Sequence, residues 1–122
     1  MKAFQFAILF VILVFMGACT KDEVSKEIDP EVFTVKNTED FSFDFEISGD
    51  EEGATIIVQA EHAEISEIKR DESTNWSVVY HYKPIENFVG TDSVRIELCT
   101  SGDGTTCGET TQITFFINVV ND

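Results

Sequence analysis

Apolar residues recur at every second position through most of this chain. Phe41, Phe43, Phe45 and Ile47 alternate with Ser42, Asp44 and Glu46. Trp76, Val78, Tyr80 and Tyr82 alternate with Ser77, Val79, His81 and Lys83, and Pro84 ends the run. Val94, Ile96 and Leu98 alternate with Ser93, Arg95 and Glu97; Ile113, Phe115, Ile117 and Val119 alternate with Gln112, Thr114, Phe116 and Asn118. A period of two is that of strands with one buried face. Val32–Val35 and Ala54–Ala60 read as further strands. Around Ala63–Ile68, Glu61, Glu64 and Glu67 recur at a spacing that suits a helix, but the neighbours are strands, so a strand is expected over Ala63–Ile68. Ser48–Gly53 and Lys69–Thr74 are polar turns. About seven short strands with turn signals roughly every ten residues predict an all-β sandwich of antiparallel strands. Two sheets are required, because each strand is apolar on one side only.

The start of the chain follows a different rule. Lys2 precedes an uncharged, mostly apolar run, Ala3–Met16, which leads to Gly17, Ala18 and Cys19. A positive start, an apolar stretch shorter than the roughly 20 residues of a membrane span, and small residues at a cleavage point form a secretory signal. Met16-Gly17-Ala18-Cys19 resembles the lipobox of bacterial lipoproteins, with Met where that family usually has Leu. The resemblance implies a signal peptide over 1–18 and acylation of Cys19, each buried methylene contributing about 0.8 kcal/mol of anchoring. Lys21, Asp22 and Glu23 are similar to the export signal that sends lipoproteins of Bacteroidetes-type bacteria to the cell surface. The expected organisation is therefore a leader over 1–18, a lipidated tether over 19–30 and one domain over 31–122. The expected location is the outer membrane.

Charge narrows the partners. The 122 residues carry 8 Lys and Arg against 23 Asp and Glu, a net charge of −15. Removing Lys2 with the leader makes it 7 − 23 = −16. Such a surface repels nucleic acid and anionic lipid headgroups. Eleven phenylalanines are too many for a disordered chain. Beyond Cys19 there remain two cysteines, Cys99 and Cys107, an even pair in an exported protein. The Gly-, Asp- and Thr-rich segment between them reads as a hairpin loop closed by a structural disulfide.

The C-terminal part carries a second resemblance. Tyr82-Lys83-Pro84, then Asn87-Phe88-Val89-Gly90-Thr91-Asp92-Ser93-Val94, then Val119-Val120-Asn121-Asp122 resemble the bacterial Ig-like and cadherin-like repeats. Such modules also have an Asp- and Gly-rich turn like Ser48–Gly53. The resemblance implies an Ig-like/cadherin-like sandwich, and it names Asp50, Glu52, Asp92 and Asp122 as candidate Ca²⁺ ligands. Calcium takes six to eight oxygens. On physical grounds Phe88 is expected to plug one end of the sandwich and Gly90 to supply a turn that a side chain resists. Asp92 is expected to accept backbone N–H bonds, and the Tyr82 hydroxyl to reach a loop.

Catalytic chemistry is not expected. His62 and His81 are far apart in sequence, and neither belongs to a nucleophile or metal spacing. Apart from possible calcium, no cofactor is expected. Trp76, Tyr80 and Phe116 are candidates for an aromatic sugar platform, although Trp76 and Tyr80 share the core parity of Val78. Phe116 and His81 have the outward parity, so they are the candidate ligand face. Asp92-Ser93-Val94 also resembles a short glycosylation acceptor, with Ser93 as the modified residue. The expectation is a non-catalytic binding, adhesion or structural module that meets the membrane through its lipid and a protein or glycan at the cell surface. The alternatives are a periplasm-facing accessory subunit of an envelope complex and a Ca²⁺-dependent adhesion module.

Overall fold

A computed structural model describes residues 25–103 and 105–122. The lipobox, with Cys19, and the export signal Lys21, Asp22 and Glu23 lie outside the described residues. Among the described residues eight strands form two sheets: β1 (Lys26–Glu27), β2 (Glu31–Lys36), β3 (Phe41–Asp44), β4 (Gly53–Val58), β5 (Ala63–Lys69), β6 (Val79–Pro84), β7 (Gly90–Gly102) and β8 (Cys107–Val120). The larger sheet runs β8-β7-β4, with β1 and β2 both on the outer edge of β8. The smaller runs β3-β6-β5. Setting β3, β6 and β5 against β4, β7 and β8 is the Greek-key partition of the immunoglobulin sandwich. The all-β sandwich expected from period two is the fold observed. Among the described residues no helix is long and apolar enough to cross a membrane.

Not every pairing is antiparallel. β2 runs parallel to β8, with Val32 opposite Phe116 and Lys36 opposite Val120. The reason lies in the short link Asn37–Asp40. It carries the chain straight into β3 on the other sheet, so β2 must finish at the end where β3 begins. β8 finishes at that end too. β1 is also parallel to β8, with Lys26 opposite Thr111, and the Ile28 amide donates to the Gln112 carbonyl at 3.0 Å. The stretch expected as free tether is therefore docked from Lys26. Its two strand residues are charged and exposed, which hid them from a search for apolar alternation.

The core is built from the positions of predicted inward parity. Tyr80, Tyr82, Val94, Ile96, Phe115, Ile117 and Val119 are buried. Phe115 is its hub. The rings of Phe33, Phe43, Phe45 and Tyr80 lie with centroids 5.1, 4.9, 6.0 and 5.9 Å from it, and they reach it from both sheets. β3 stops at Asp44 because Glu46 turns left-handed, at φ 58°, with its amide on Asp44 Oδ1 at 2.7 Å. Pairing then resumes: the Phe45 amide donates to the Val78 carbonyl and the Val78 amide to the Ile47 carbonyl.

At the other end of the strands, Phe88 is half-buried and stacks on His62 with centroids 4.2 Å apart. Gly90 sits at φ +147°, where an added Cβ would come within 3.3 Å of the Phe88 ring. Cys99 and Cys107 are joined by the expected disulfide, with Cα atoms 5.8 Å apart. The ladder reaches Gly102 opposite Cys107, so the hairpin loop is shorter than the span between the cysteines.

Candidate ligand-binding site

The largest departure from the expected pattern is Trp76. It was expected on β6, pointing into the core with Val78. The strand begins instead at Val79, and Trp76 is 60% exposed. The chain leaves β5, makes a 3₁₀ turn over Glu72–Thr74, and passes through Asn75 at φ 51° and Trp76 at φ 62°. Asn tolerates left-handed backbone. A bulky aromatic there is an outlier that costs on the order of 1–3 kcal/mol and persists only where its surroundings fix it.

The surroundings do fix it. Asp71 and Thr74 form a capping box: the Ser73 amide donates to Asp71 Oδ1 at 2.8 Å and the Asp71 amide to Thr74 Oγ1 at 3.0 Å. The Ser73 hydroxyl, with help from the Ser73 and Thr74 amides and Lys69, holds the Asp71 carboxyl below its ordinary pKa, against a smaller opposing effect of desolvation. The Trp76 amide donates to the Asp71 carbonyl at 2.9 Å, and the Thr74 hydroxyl to the Ser77 carbonyl at 2.8 Å. Arg70 completes the corner. Its Nε donates to the Trp76 carbonyl at 3.0 Å and Nη1 to the Glu52 carbonyl at 2.8 Å. Nη2 donates to the carbonyls of Ser48 and Gly49 at 2.8 and 2.9 Å. Glu52 in turn accepts the Ser48 and Gly49 amides on Oε2. One guanidinium thus ties the β3–β4 turn to the Trp76 corner.

Beside this corner, on the outer face of β3-β6-β5, lies a groove of about 530 Å³. Ser42, Asp44, Lys69, Ser73, Thr74, Asn75, Val79 and His81 line it. Trp76 is bracketed by two residues that belong to this neighbourhood. Asn75 lines the groove, and the Ser77 hydroxyl donates to Asp44 Oδ1. That bond, with the Glu46 amide, lowers the Asp44 pKa. His81 is half-buried at the far side, with Nε2 3.2 Å from Asp40 Oδ2 and Nδ1 3.7 Å from Glu67 Oε1. Nothing in the alternation of residues 76–83 pointed to this arrangement. The usable signal was Asp71-Glu72-Ser73-Thr74-Asn75, a capping sequence that opens a short turn and delays the strand.

The other predicted residues fall elsewhere. Phe116 is 38% exposed on the outer face of the larger sheet, while His81 is on the outer face of the smaller, so the two do not share a surface. The four carboxylates named for calcium are not gathered either. Asp50 and Glu52 sit at the β3–β4 turn, next to Gly53, which pairs with Cys99. Asp92 is seven residues down β7 from Cys99, roughly 23 Å away. Asp122 pairs with Lys36 at 3.0 Å. Among the described residues, no group of three or more His, Cys, Asp or Glu is placed to hold a metal ion.

Asp92 has a different occupation. It is 3% exposed and accepts four hydrogen bonds: from the amides of Glu61, His62 and Ser93 at 3.0, 2.9 and 3.0 Å, and from the Tyr82 hydroxyl at 3.1 Å. Its expected role as an acceptor for backbone amides is met, in a loop distant in sequence. Ser93 follows it inside the β7–β8 ladder, opposite Phe116.

No family model and no curated protein matches the chain. Among solved structures it is similar to the crystal structure of the cysteine protease inhibitor EhICP2 from Entamoeba histolytica, with a TM-score of 0.40 and 11% identity over 78% of this chain and 94% of that one. So distant a likeness carries no argument about what this chain binds.

Proposed function

We propose that this chain is a lipid-anchored, surface-displayed bacterial lipoprotein whose Ig-like/cadherin-like sandwich is a non-catalytic module for binding a protein or glycan outside the cell. Met16-Gly17-Ala18-Cys19 and Lys21-Asp22-Glu23 support the anchor and the export. The observation that carries the binding role is Trp76: a large apolar side chain that is mostly exposed, on a backbone conformation that costs energy and that a guanidinium and a capping box hold in place. The corner's hydrogen bonds contribute to folding, but they run through the Trp76 backbone and do not require an exposed indole. Exposed aromatics on a fixed backbone are what binding sites use, because they add large contact area at a low cost in side-chain freedom.

The docked β1 leaves a short link between Cys19 and the domain, so the sandwich would stand close to the bilayer. Its acidic surface would be repelled by anionic headgroups and would face away from them. The anchor is tested by feeding cells labelled palmitate. The wild-type protein is expected to take up label and sediment with membranes, and Cys19→Ala to do neither. Equal membrane association of the unlabelled variant would reject lipid anchoring.

A further inference from the structure

We propose that the groove on the outer face of β3-β6-β5 binds a neutral glycan, with Trp76 stacking on a sugar ring and the groove's hydroxyl and amide groups bonding its hydroxyls. The inference rests on the reading that the Trp76 corner is the binding end of the molecule, and it adds the chemical class of the ligand.

Three observations lead to that class. The first is the lining. Ser42, Ser73 and Thr74 contribute hydroxyls that donate and accept, and Asn75 an amide that does both. Each sugar hydroxyl also donates and accepts, so a row of such groups can be satisfied in several registers. An apolar peptide side chain needs a hydrophobic hole, and here Val79 is the one aliphatic residue in the lining.

The second is charge. The lining holds one carboxylate, Asp44, and one ammonium, Lys69, with His81 engaged by Asp40 and Glu67. Asp44 receives both its bonds, from the Ser77 hydroxyl and the Glu46 amide, on Oδ1. Lys69 is in turn paired with Asp71 at 3.9 Å, so carboxylates outnumber cations at the groove and its rim, which disfavours a phosphate or a polyanion. The groove suits an uncharged ligand that offers hydroxyls.

The third is the aromatic. Trp76 is exposed and lies between Asn75, which lines the groove, and Ser77, which bonds to it through Asp44. The C–H face of a pyranose is apolar while its rim is polar. Trp76 is not itself in the lining; an indole turned from the neighbouring corner toward this polar groove would match both parts of such a ring.

Trp76 is the sole tryptophan of the chain, so intrinsic fluorescence reports on this position alone. The test uses the full-length lipoprotein in a sugar-free detergent. It is titrated with maltohexaose, cellohexaose, xylohexaose and chitohexaose, and with asialomucin before and after enzymatic deglycosylation. Calorimetry is run in parallel. Expected is a saturable change in Trp76 emission with at least one oligosaccharide or with the intact mucin. By calorimetry, affinity should fall at least about tenfold in Trp76→Ala and measurably in Ser42→Ala, and stay unchanged in Phe116→Ala on the opposite sheet. Circular dichroism confirms that each variant is folded. Undiminished binding by folded Trp76→Ala would overturn the site. Equal binding of the glycosylated and deglycosylated mucin would overturn the glycan class while leaving a binding module. No response to any probe would overturn the glycan inference; the lipoprotein reading would then still be judged on palmitate labelling and surface exposure.

Discussion

The Tyr82 hydroxyl donates to Asp92 Oδ2 at 3.1 Å, and the bond joins the two sheets through the interior of the sandwich. Tyr82 stands on β6 and Asp92 on β7, and both are buried. Asp92 also holds the Glu61 and His62 amides of the β4–β5 connection. A carboxylate in this position is stable only because its lone pairs are filled.

Removing the acceptor therefore costs more than removing one donor. Asp92→Ala strands two loop amides and the tyrosine hydroxyl, and is expected to lower unfolding free energy by about 3 kcal/mol. Tyr82→Phe leaves the amides satisfied and is expected to cost about 1.5 kcal/mol. Urea unfolding of the two variants and of the pair measures both. Losses that added in the double variant would show that the bond between them contributes nothing.

Tyr80 and Tyr82, the chain's two tyrosines, are fully buried. Desolvation, opposed by the Ser66 hydroxyl, pushes the Tyr80 phenol up to about 12 from 10.0. Burial first, then the Asp92 charge and its hydrogen bond, push the Tyr82 phenol up as well. A folded-state pKa above the unfolded one gives stability that is complete below pH 10 and lost as pH climbs toward 12. Phenolate absorbance should then appear together with loss of the β circular-dichroism signal, in one transition. A phenolate signal that rises near pH 10 in a folded protein would show at least one ring open to water.

Adjacent phenylalanines on β8 should behave oppositely. Phe115 lies among four rings in the core and Phe116 stands on the outer face. Phe115→Ala is expected to cost about 3–5 kcal/mol, much of a small domain's total stability. Phe116→Ala should stay within about 0.5 kcal/mol of wild type. Thermal melts of the two variants compare them directly.

Arg70 holds four carbonyls, including that of Trp76. Arg70→Lys keeps the charge but not the planar fork, so it should not replace it. Both Arg70→Lys and Arg70→Met are expected to lower the fluorescence anisotropy of Trp76, with a stability loss of about 2 kcal/mol. Unchanged anisotropy in a folded Arg70→Met protein would mean that the capping box alone fixes the corner.

The sandwich was legible because alternation survives in every long strand. Ile96, Phe115 and Ile117 are buried where parity put them, and even the ambiguous Ala63–Ile68 proved to be a strand. Phe88, Gly90 and Asp92 could be read from their chemistry as a plug, a turn and an amide acceptor, though the partners of Phe88 and Asp92 lie about 30 residues away. The Tyr82 hydroxyl, expected to reach a loop, reaches Asp92 on β7 instead. The candidate site was less legible. Trp76 carries the parity of a core residue, and its exposure is decided by Arg70 and by two left-handed residues, which parity does not register. His81 and Phe116 have the same outward parity, yet parity does not say to which sheet a strand belongs. The calcium set failed to gather for the same reason: sequence order hides which end of the sandwich a loop occupies.

Surface display is tested by treating intact cells with protease and following this protein by antibody. The sandwich is expected to be lost from unbroken cells, because a module that binds external ligands through Trp76 must stand outside the outer membrane. Protection until that membrane is opened would contradict surface display, and with it the reading of Lys21-Asp22-Glu23 as an export signal.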